Sequence, residues 1–274
     1  MLQLADNLPQ QWNMRHTLEH FGVATMPDVD NNGIAIHYEV EGSGPPLVLQ
    51  HGSFGSLEDW REIGYVAPLR ECSSLILIDA RGHGKSGKPH DPAAYDLRAR
   101  ASDVIAVLDD LGIQTADFMG YSMGGWIGFG LAKYAPHRFR SLILGGAHPF
   151  AEDMGASRAM LPKEPGSFLE LIAPAFGPYL LPGMRLRLVA NDLEALAALT
   201  TDRDDLGDVL PTMRMPCLIY VGTEDPRLPR VRDCARLMPN GTFFSLPDCT
   251  HVGAFGRTDL VLPHLTAFLE TDRP

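Results

Sequence analysis

The sequence predicts an α/β fold in which a mostly parallel, doubly wound sheet carries an inserted helical segment. Short apolar runs alternate with helix-like segments along most of the 274 residues, as in sheets that are covered by helices on both faces. Residues 75–78 are continuously apolar, which is typical of a strand buried on both faces. The alternation stops after Gly146 and resumes near Pro216. This interruption indicates an insertion between two strands.

The elements before the insertion follow from local patterns. Residues 34–40 alternate between polar and apolar side chains, which predicts a half-buried strand, and a turn follows at 41–45. Gly64 is a weak point in the first predicted helix. The predicted order is strand 34–40, strand 47–49, helix 56–69, strand 75–78, helix 97–111, strand 116–119, helix 123–135 and strand 141–144.

Residues 149–211 form the predicted insertion. They contain helical stretches that are rich in apolar residues and divided by Gly and Pro. A long departure from the strand–helix rhythm usually has a function, so we interpret the segment as a helical lid over the carboxyl edge of the sheet, where ligands bind. An ordinary pair of surface helices is the alternative. The core then comprises residues 31–148 and 212–274, the latter with strand 216–222, helix 230–238, strand 242–246 and helix 260–270.

Composition and charge limit the classes of function. A chain with 45% hydrophobic and 21% charged residues has ordinary globular composition. The formal net charge of -11 argues against nucleic acid and anionic membranes as partners, and no apolar run reaches the about 18 residues of a membrane span. The four cysteines lack CxxC spacing, so we expect no metal site and no dithiol motif. A reducing, cytoplasmic compartment and a small-molecule partner fit these observations best.

Residues 1–30 precede the predicted sheet as an N-terminal arm. The arm lacks the basic start and continuous apolar core of a signal peptide. Leu4, Leu8 and Trp12 have helical spacing, but Pro9 argues against one continuous helix. The simplest expectation is an arm packed loosely on the surface. The alternatives are a homodimer contact or a cover over the active site.

The most informative motif is Gly120-Tyr121-Ser122-Met123-Gly124, which has the frame Gly-x-Ser-x-Gly. An apolar run precedes it and a helix-like segment follows it, which is the strand–turn–helix context that this motif requires. Small residues on either side of the serine permit a sharp turn that holds its Oγ clear of the sheet. The N-terminus of the following helix would stabilise negative charge beside Ser122. We therefore predict a nucleophilic serine.

A nucleophilic serine requires a base and a third group that orients the base, in the chain order Ser, Asp or Glu, His. His251 follows the last predicted strand and is expected in a loop. Glu224 and Asp225 both follow the preceding strand, and we choose Asp225 because the shorter side chain, one residue further on, is usual in such chains. Asp248 is a weaker alternative because it lies so close to His251 in sequence. The predicted triad is Ser122, Asp225 and His251.

An oxyanion hole requires two backbone N–H donors. One should come from Met123, the residue after the nucleophile. The second should come from the loop after the strand at 47–49, and we assign it to Ser53, with Phe54 as the alternative. Gly52 lets the backbone of this loop approach a substrate closely. His51 looks like a second base, but we interpret it as a structural histidine that fixes the loop.

A polar motif, Asp79-Ala80-Arg81-Gly82-His83-Gly84-Lys85-Ser86, follows the buried strand at 75–78. Its last three residues match the end of a P-loop. Asp79, however, stands where a P-loop has glycine, and its carboxylate would repel phosphate. We therefore expect a hydrogen-bonded structural turn near the pocket and no nucleotide site.

Together these motifs resemble the α/β-hydrolase family, in its soluble bacterial type with a lid. The resemblance covers about residues 33–270 and implies hydrolysis of esters, thioesters, lactones or certain carbon–carbon bonds without a cofactor. The serine at the turn differs from the aspartate that haloalkane dehalogenases and epoxide hydrolases carry there. The chain departs from the family pattern at Thr250, where glycine is frequent, and in its N-terminal arm. The matching pieces are His51-Gly52, Asp79-x-Arg81-Gly82-His83-Gly84-x-Ser86, Gly120-Tyr121-Ser122-Met123-Gly124-Gly125, Gly222-x-x-Asp225 and His251.

The expected function is that of a serine hydrolase that forms an acyl-enzyme at Ser122 with a small apolar ester, thioester or lactone. Phe54 and Phe176 are expected to line the pocket, which suggests an apolar acyl or aryl group. Three alternatives stay open. A meta-cleavage carbon–carbon bond hydrolase or a perhydrolase would use the same triad, and a non-catalytic ligand-binding protein could share the fold.

Overall fold

The computed structural model describes residues 28–159, 161 and 165–271. Most of the N-terminal arm predicted at residues 1–30 lies outside the described residues. Its last three residues do not continue as an arm, because Asp28–Asn31 forms a strand that pairs antiparallel with Ile34–Gly42. Val29 is the one apolar residue of this four-residue strand and packs against the core, which is too little for a hydrophobic pattern in the sequence.

The sheet follows the predicted architecture. Its strands are β1 (Asp28–Asn31), β2 (Ile34–Gly42), β3 (Pro46–Gln50), β4 (Ser74–Ile78), β5 (Ala116–Tyr121), β6 (Phe139–Gly145), β7 (Cys217–Gly222) and β8 (Gly241–Leu246). Within the described chain they form one eight-stranded sheet in the order β1-β2-β4-β3-β5-β6-β7-β8. The pairs β1–β2 and β2–β4 are antiparallel, and the others are parallel. The predicted mostly parallel sheet is thus confirmed, and the carboxyl ends of β3 to β8 meet at one edge.

Helices cover both faces of the sheet. They are α1 (Glu58–Ile63), α2 (Val66–Leu69), α3 (Leu97–Asp110), α4 (Met123–Tyr134), α5 (Gly155–Ala159), α6 (Pro165–Phe176), α7 (Pro182–Val189), α8 (Leu193–Leu199), α9 (Leu228–Leu237), α10 (His251–Gly256) and α11 (Thr258–Thr271). Alternate strand residues face different cores: Val48 packs in the cluster of α3, α4 and α9, whereas Leu47 and Leu49 pack with α1, α2 and α11. This alternation follows from the two-residue period of a strand.

One predicted helix is divided in the structure. The helix expected at 56–69 appears as α1 and α2, which are separated at Gly64. Gly64 has φ 103°, a left-handed conformation that glycine adopts readily. The weak point seen in the sequence is therefore the place where the chain changes direction.

The segment between β6 and β7 is helical, and its helices α5 to α8 lie beside the carboxyl edge of the sheet. Helix α7 is joined to α1 by Arg187, which bonds Asp59 at 2.6 Å and Glu62 at 2.5 Å. The Asn191 side chain donates to the Phe54 carbonyl oxygen at 2.9 Å. Polar contacts thus join the inserted segment both to α1 and to the loop after β3. None of the helices in the described residues combines the length and hydropathy needed to cross a bilayer.

Candidate active site

Ser122 occupies a sharp turn between β5 and α4. Its φ of 54° and ψ of -109° are unfavourable for a residue with a side chain. Two glycines make the turn possible, because a Cβ on Gly120 would lie 2.3 Å from the Gly124 carbonyl carbon and one on Gly124 would lie 2.1 Å from the Gln50 carbonyl oxygen. The backbones of β3, β5 and α4 therefore meet beside Ser122, and the N-terminus of α4 lies next to its hydroxyl.

The structure brings the three residues of the predicted triad into one chain of hydrogen bonds. His251 Nε2 lies 2.9 Å from Ser122 Oγ, and His251 Nδ1 lies 2.5 Å from Asp225 Oδ2. Asp225 is buried, and its other oxygen accepts the Arg227 backbone N–H at 2.9 Å. With Nδ1–H directed to the carboxylate, Nε2 is an acceptor for the serine proton.

The structure also distinguishes Asp225 from the two other acidic residues considered for the same role. Glu224 and Asp248 are exposed, whereas Asp225 has a fully buried side chain. Burial alone would raise the pKa of Asp225, but the hydrogen bond and charge of His251 hold that pKa below its ordinary value. A carboxylate that stays ionised beside the imidazole can stabilise the imidazolium formed during proton transfer.

His251 departs from its expected position in a loop, because it is the first residue of helix α10. Thr250 is the N-cap of this helix, and its Oγ1 accepts the Gly253 N–H at 3.1 Å. The Tyr121 hydroxyl donates to the His251 carbonyl oxygen. The backbone at His251 is thus held by the helix cap and by the strand that precedes Ser122. Threonine before the histidine, where the family often has glycine, acts as a helix cap.

The loop after β3 distinguishes the two candidate oxyanion donors. Phe54 has φ 71°, and its N–H donates to His83 Nε2 at 3.2 Å. Among the described residues, neither the Ser53 N–H nor the Met123 N–H donates a hydrogen bond. The first of these donors lies beside Gly52, where an added Cβ would lie 3.3 Å from Ser122 Cβ. The geometry therefore leaves the Ser53 and Met123 N–H groups available near the nucleophile.

His51 connects this loop to the turn after β4 through hydrogen bonds. It is fully buried, its Nδ1 donates to the Gly52 carbonyl oxygen at 2.8 Å, and its Nε2 accepts the Ala80 N–H at 3.0 Å. His83 is also buried, and burial together with the nearby His51 lowers its pKa well below the ordinary value. Both imidazoles have their nitrogens engaged with the backbone, and His51 has no contact with Ser122.

The motif that begins at Asp79 is a hydrogen-bonded turn. Its carboxylate accepts the Leu57 N–H at 2.8 Å and the Lys85 N–H at 2.8 Å. Arg81 forms two 2.6 Å bonds with buried Asp103. A bidentate pair of this kind fixes a backbone segment firmly. The turn therefore connects the strand edge to α1 and α3, and its charged groups are occupied by protein partners.

A cavity of about 260 Å³ opens above Ser122. Ser122, His251 and Ser53 border it, as do Phe54 and Phe176. The inserted segment contributes further apolar wall residues, namely Met154, Ile172, Met184 and Leu188. The described residues contain no group of three or more His, Cys, Asp or Glu placed to hold a metal ion. The cavity is thus largely apolar, with the nucleophile at its base.

Several charged residues line the cavity although no sequence pattern predicts this position. Asp59, Arg187, Arg203 and Arg227 line it, and half-buried Glu152 pairs with the last two. Each lies in a polar stretch that reads as ordinary surface. A buried charge can be inferred from sequence only when its partner is known, and these partners are distant in the chain.

Comparison with known proteins agrees with this geometry. The family model described as the alpha/beta hydrolase fold matches residues 45–181. This chain belongs to the alpha/beta hydrolase fold family. It is 28% identical over 209 residues to 3-oxoadipate enol-lactonase 2 from Acinetobacter baylyi, which covers 70% of this chain and 77% of the relative.

The match extends to solved structures. The enol-lactonase from Burkholderia xenovorans LB400 has a TM-score of 0.80 at 26% sequence identity, and the match covers 89% of this hydrolase-family chain and all of the other. The chain spans about half the length of two further curated proteins that it matches, 43% of one and 47% of the other. The relatives support a hydrolase and leave its substrate open.

Proposed function

We propose that this protein is a serine hydrolase that cleaves a small ester, thioester or lactone through an acyl-enzyme at Ser122. The observation that carries the proposal is the continuous chain of hydrogen bonds from Ser122 through His251 to buried Asp225. A serine hydroxyl is a poor nucleophile until a base accepts its proton. This arrangement supplies that base, and it also supplies a carboxylate that fixes the tautomer.

In the proposed first step, Ser122 Oγ attacks the acyl carbonyl carbon while its proton moves to His251 Nε2. The carbonyl oxygen takes the negative charge and accepts hydrogen bonds from the Ser53 and Met123 N–H groups. The imidazolium then donates the same proton to the leaving alcohol, and the acyl group remains on Ser122. Asp225 stays ionised throughout and stabilises the imidazolium.

In the second step, water replaces the alcohol. His251 accepts a proton from the water, whose oxygen attacks the acyl carbon, and the tetrahedral intermediate again places its charge against the two N–H groups. Collapse releases the carboxylic acid and returns the proton to Ser122. The cycle needs no cofactor, because the protein supplies the nucleophile, the base and the oxyanion donors.

The inserted segment acts as a lid in this proposal. Its residues Met154, Ile172 and Phe176 face the cavity, and covering the site would exclude water from the acyl group until the alcohol has left. The apolar wall favours an apolar chain next to the reacting carbonyl. The ionic contacts of Arg187 with α1 join the segment to the core, which supports this role.

The proposal is tested with a series of short- to medium-chain p-nitrophenyl esters. Wild-type protein should release p-nitrophenol with an initial burst, and Ser122→Ala should abolish turnover. Ser245→Ala, which removes an exposed hydroxyl on β8, is the matched control and should keep full activity. Trapping of the acyl group on Ser122 by mass spectrometry would support the covalent step.

Other outcomes point to the alternatives. Activity that requires hydrogen peroxide would indicate a perhydrolase. Loss of colour from a meta-cleavage product, without ester hydrolysis, would indicate a carbon–carbon bond hydrolase. Retention of esters without turnover by both wild type and Ser122→Ala would contradict the proposed enzyme and favour a ligand-binding protein.

A further inference from the structure

Two arginines at the wall of the cavity share one carboxylate. Arg203 Nη1 donates to Glu152 Oε2 at 2.9 Å, and Arg227 Nη2 lies 2.7 Å from Glu152 Oε1. Burial alone would raise the pKa of Glu152, but the two arginines hold it below its ordinary value. Arg203 makes no other side-chain hydrogen bond among the described residues, so part of its guanidinium fork is unused.

A third arginine lies next to them and has no carboxylate bonded to it within the described chain. Arg100 is 4% exposed, and it donates to the Tyr95 and Leu199 carbonyl oxygens at 2.7 Å. Its Nη1 also lies 3.2 Å from Met123 Sδ. Burial lowers the pKa of Arg100 to about 9, so the group stays charged at neutral pH. Arg227 also lies 3.9 Å from buried Asp225, so the three arginines with Glu152 and Asp225 carry a net charge of +1.

Trp126 lies between these groups and has an unused donor. Its ring centroid is 4.8 Å from Arg203 Cζ and 5.5 Å from Arg100 Cζ. The side chain is 6% exposed, and its indole Nε1 has no partner among the described residues. A buried N–H without an acceptor costs free energy, so this position favours a ligand that brings an acceptor oxygen.

The same residues border a second, small cavity of about 10 Å³. It shares Ser53, Thr200 and Arg203 with the main cavity above Ser122. Its volume accepts about one oxygen atom. The opposite end of the main cavity is different, because Arg187 is paired there with both Asp59 and Glu62. Arg100 and Arg203, which share a single bonded carboxylate, instead border the small cavity beside Ser53 and Met123.

We propose that this cluster of Arg203, Arg100 and Trp126 binds a carboxylate on the acyl part of the substrate. The proposal rests on the proposed function and narrows its substrate class to an ester or lactone of a dicarboxylic acid. The acyl part is favoured because the small cavity borders Met123 and Ser53 and does not border His251, towards which the alcohol leaves. A guanidinium fork and an indole N–H match the planar oxygens of a carboxylate.

The test compares two esters that differ in charge. The p-nitrophenyl monoester of adipic acid carries a carboxylate, and methyl p-nitrophenyl adipate has the same chain with that carboxylate capped. Wild-type kcat/KM should be about 10- to 100-fold higher for the monoester, as expected for hydrogen bonds to a charged group. Arg203→Gln should remove this preference, measured as the ratio of the two kcat/KM values.

A matched control and a second variant keep the test independent of folding. Arg236→Gln removes an exposed guanidinium on α9 that contacts Asp233, and it should preserve the preference. Trp126→Phe keeps an aromatic ring and removes the N–H together with the five-membered ring of the indole, so it should reduce the preference by about tenfold. Equal kcat/KM for the two esters in wild type, or a preference that survives in both Arg203→Gln and Trp126→Phe, would overturn the inference while the serine hydrolase stands.

The two proposals fail in different ways. If neither ester is hydrolysed, the proposed function fails, and binding of adipate by isothermal titration calorimetry decides the subsite. Adipate that binds wild type and binds Arg203→Gln at least tenfold more weakly supports the carboxylate site. Adipate that binds neither protein, or both equally, overturns it.

Discussion

Replacing Asp225 by asparagine tests the site most directly, because the structure determines how the amide must point. One Asp225 oxygen accepts the Arg227 N–H at 2.9 Å and the other accepts the His251 Nδ1–H at 2.5 Å. Asparagine has one oxygen and one NH₂ group. If its oxygen keeps the bond to the buried backbone N–H, its NH₂ faces His251 Nδ1 and forces the proton onto Nε2. His251 is then unable to accept the proton of Ser122.

The opposite orientation of the amide is also unfavourable. It restores the imidazole tautomer but places NH₂ against the Arg227 N–H, which costs about 1–3 kcal/mol for the donor left without an acceptor. In both orientations the negative charge that stabilises the imidazolium is lost. We expect kcat to fall about 1,000-fold or more, by analogy with the same change in a serine protease triad, which corresponds to about 4 kcal/mol of activation free energy.

The assay is steady-state hydrolysis of p-nitrophenyl butyrate at neutral pH by Asp225→Asn, with a thermal melt to establish that the protein is folded. Glu224→Gln makes the same chemical change at the exposed neighbouring residue and should keep wild-type kcat. A loss of less than tenfold in a folded Asp225→Asn protein, or an equal loss in Glu224→Gln, would refute the assignment of the orienting carboxylate.

Three further predictions concern the stability of the fold around the site and the sheet. Gly124→Ala should destabilise the protein by about 3 kcal/mol in urea unfolding and reduce activity, because its Cβ would lie 2.1 Å from a backbone oxygen; a wild-type melting temperature would contradict this. Arg81→Lys retains only one bond to buried Asp103 and should cost about 1–3 kcal/mol, and unchanged unfolding would argue against the bidentate pair as a stabilising contact. Burial alone would raise the pKa of Glu39, but hydrogen bonds from His37, Lys85 and Arg61 lower it to about 2 from 4.5. Glu39 therefore stabilises the fold fully above about pH 4.5, and the stability gap between wild type and Glu39→Gln should shrink as the pH falls towards 2; a gap that grows with acid would show the opposite sign.

The candidate site was largely accessible to sequence reasoning because its parts follow strand ends. Ser122, Asp225 and His251 each come after a strand of a parallel sheet, and parallel strands deliver their carboxyl ends to one edge. The local sequence was less informative about the backbone conformation at these residues. His251 begins a helix because Thr250 caps it, and that cap depends on a hydrogen bond to Gly253 that no apolar pattern reports.

The choice between Ser53 and Phe54 illustrates a second limit. Both belong to the same loop, and the sequence gives no reason to exclude either N–H. In the structure the Phe54 N–H donates a hydrogen bond to His83 Nε2. His83 belongs to the turn after β4. We therefore prefer Ser53 as the donor because of a contact between the loop after β3 and the turn after β4.

By itself the sequence determined the fold class and the order of the main strands and helices, and it predicted Ser122, Asp225 and His251 as a triad, because hydrophobic periodicity and short turn motifs are local properties of the chain. Only the tertiary structure decided the charge of the cavity. Arg100 and Arg203 lie in separate polar stretches, and folding places both guanidinium groups beside the Trp126 ring, with Glu152 paired to Arg203. The energy of a buried charge depends on which partners surround it and how far water is excluded, and both quantities come into being only when distant segments pack.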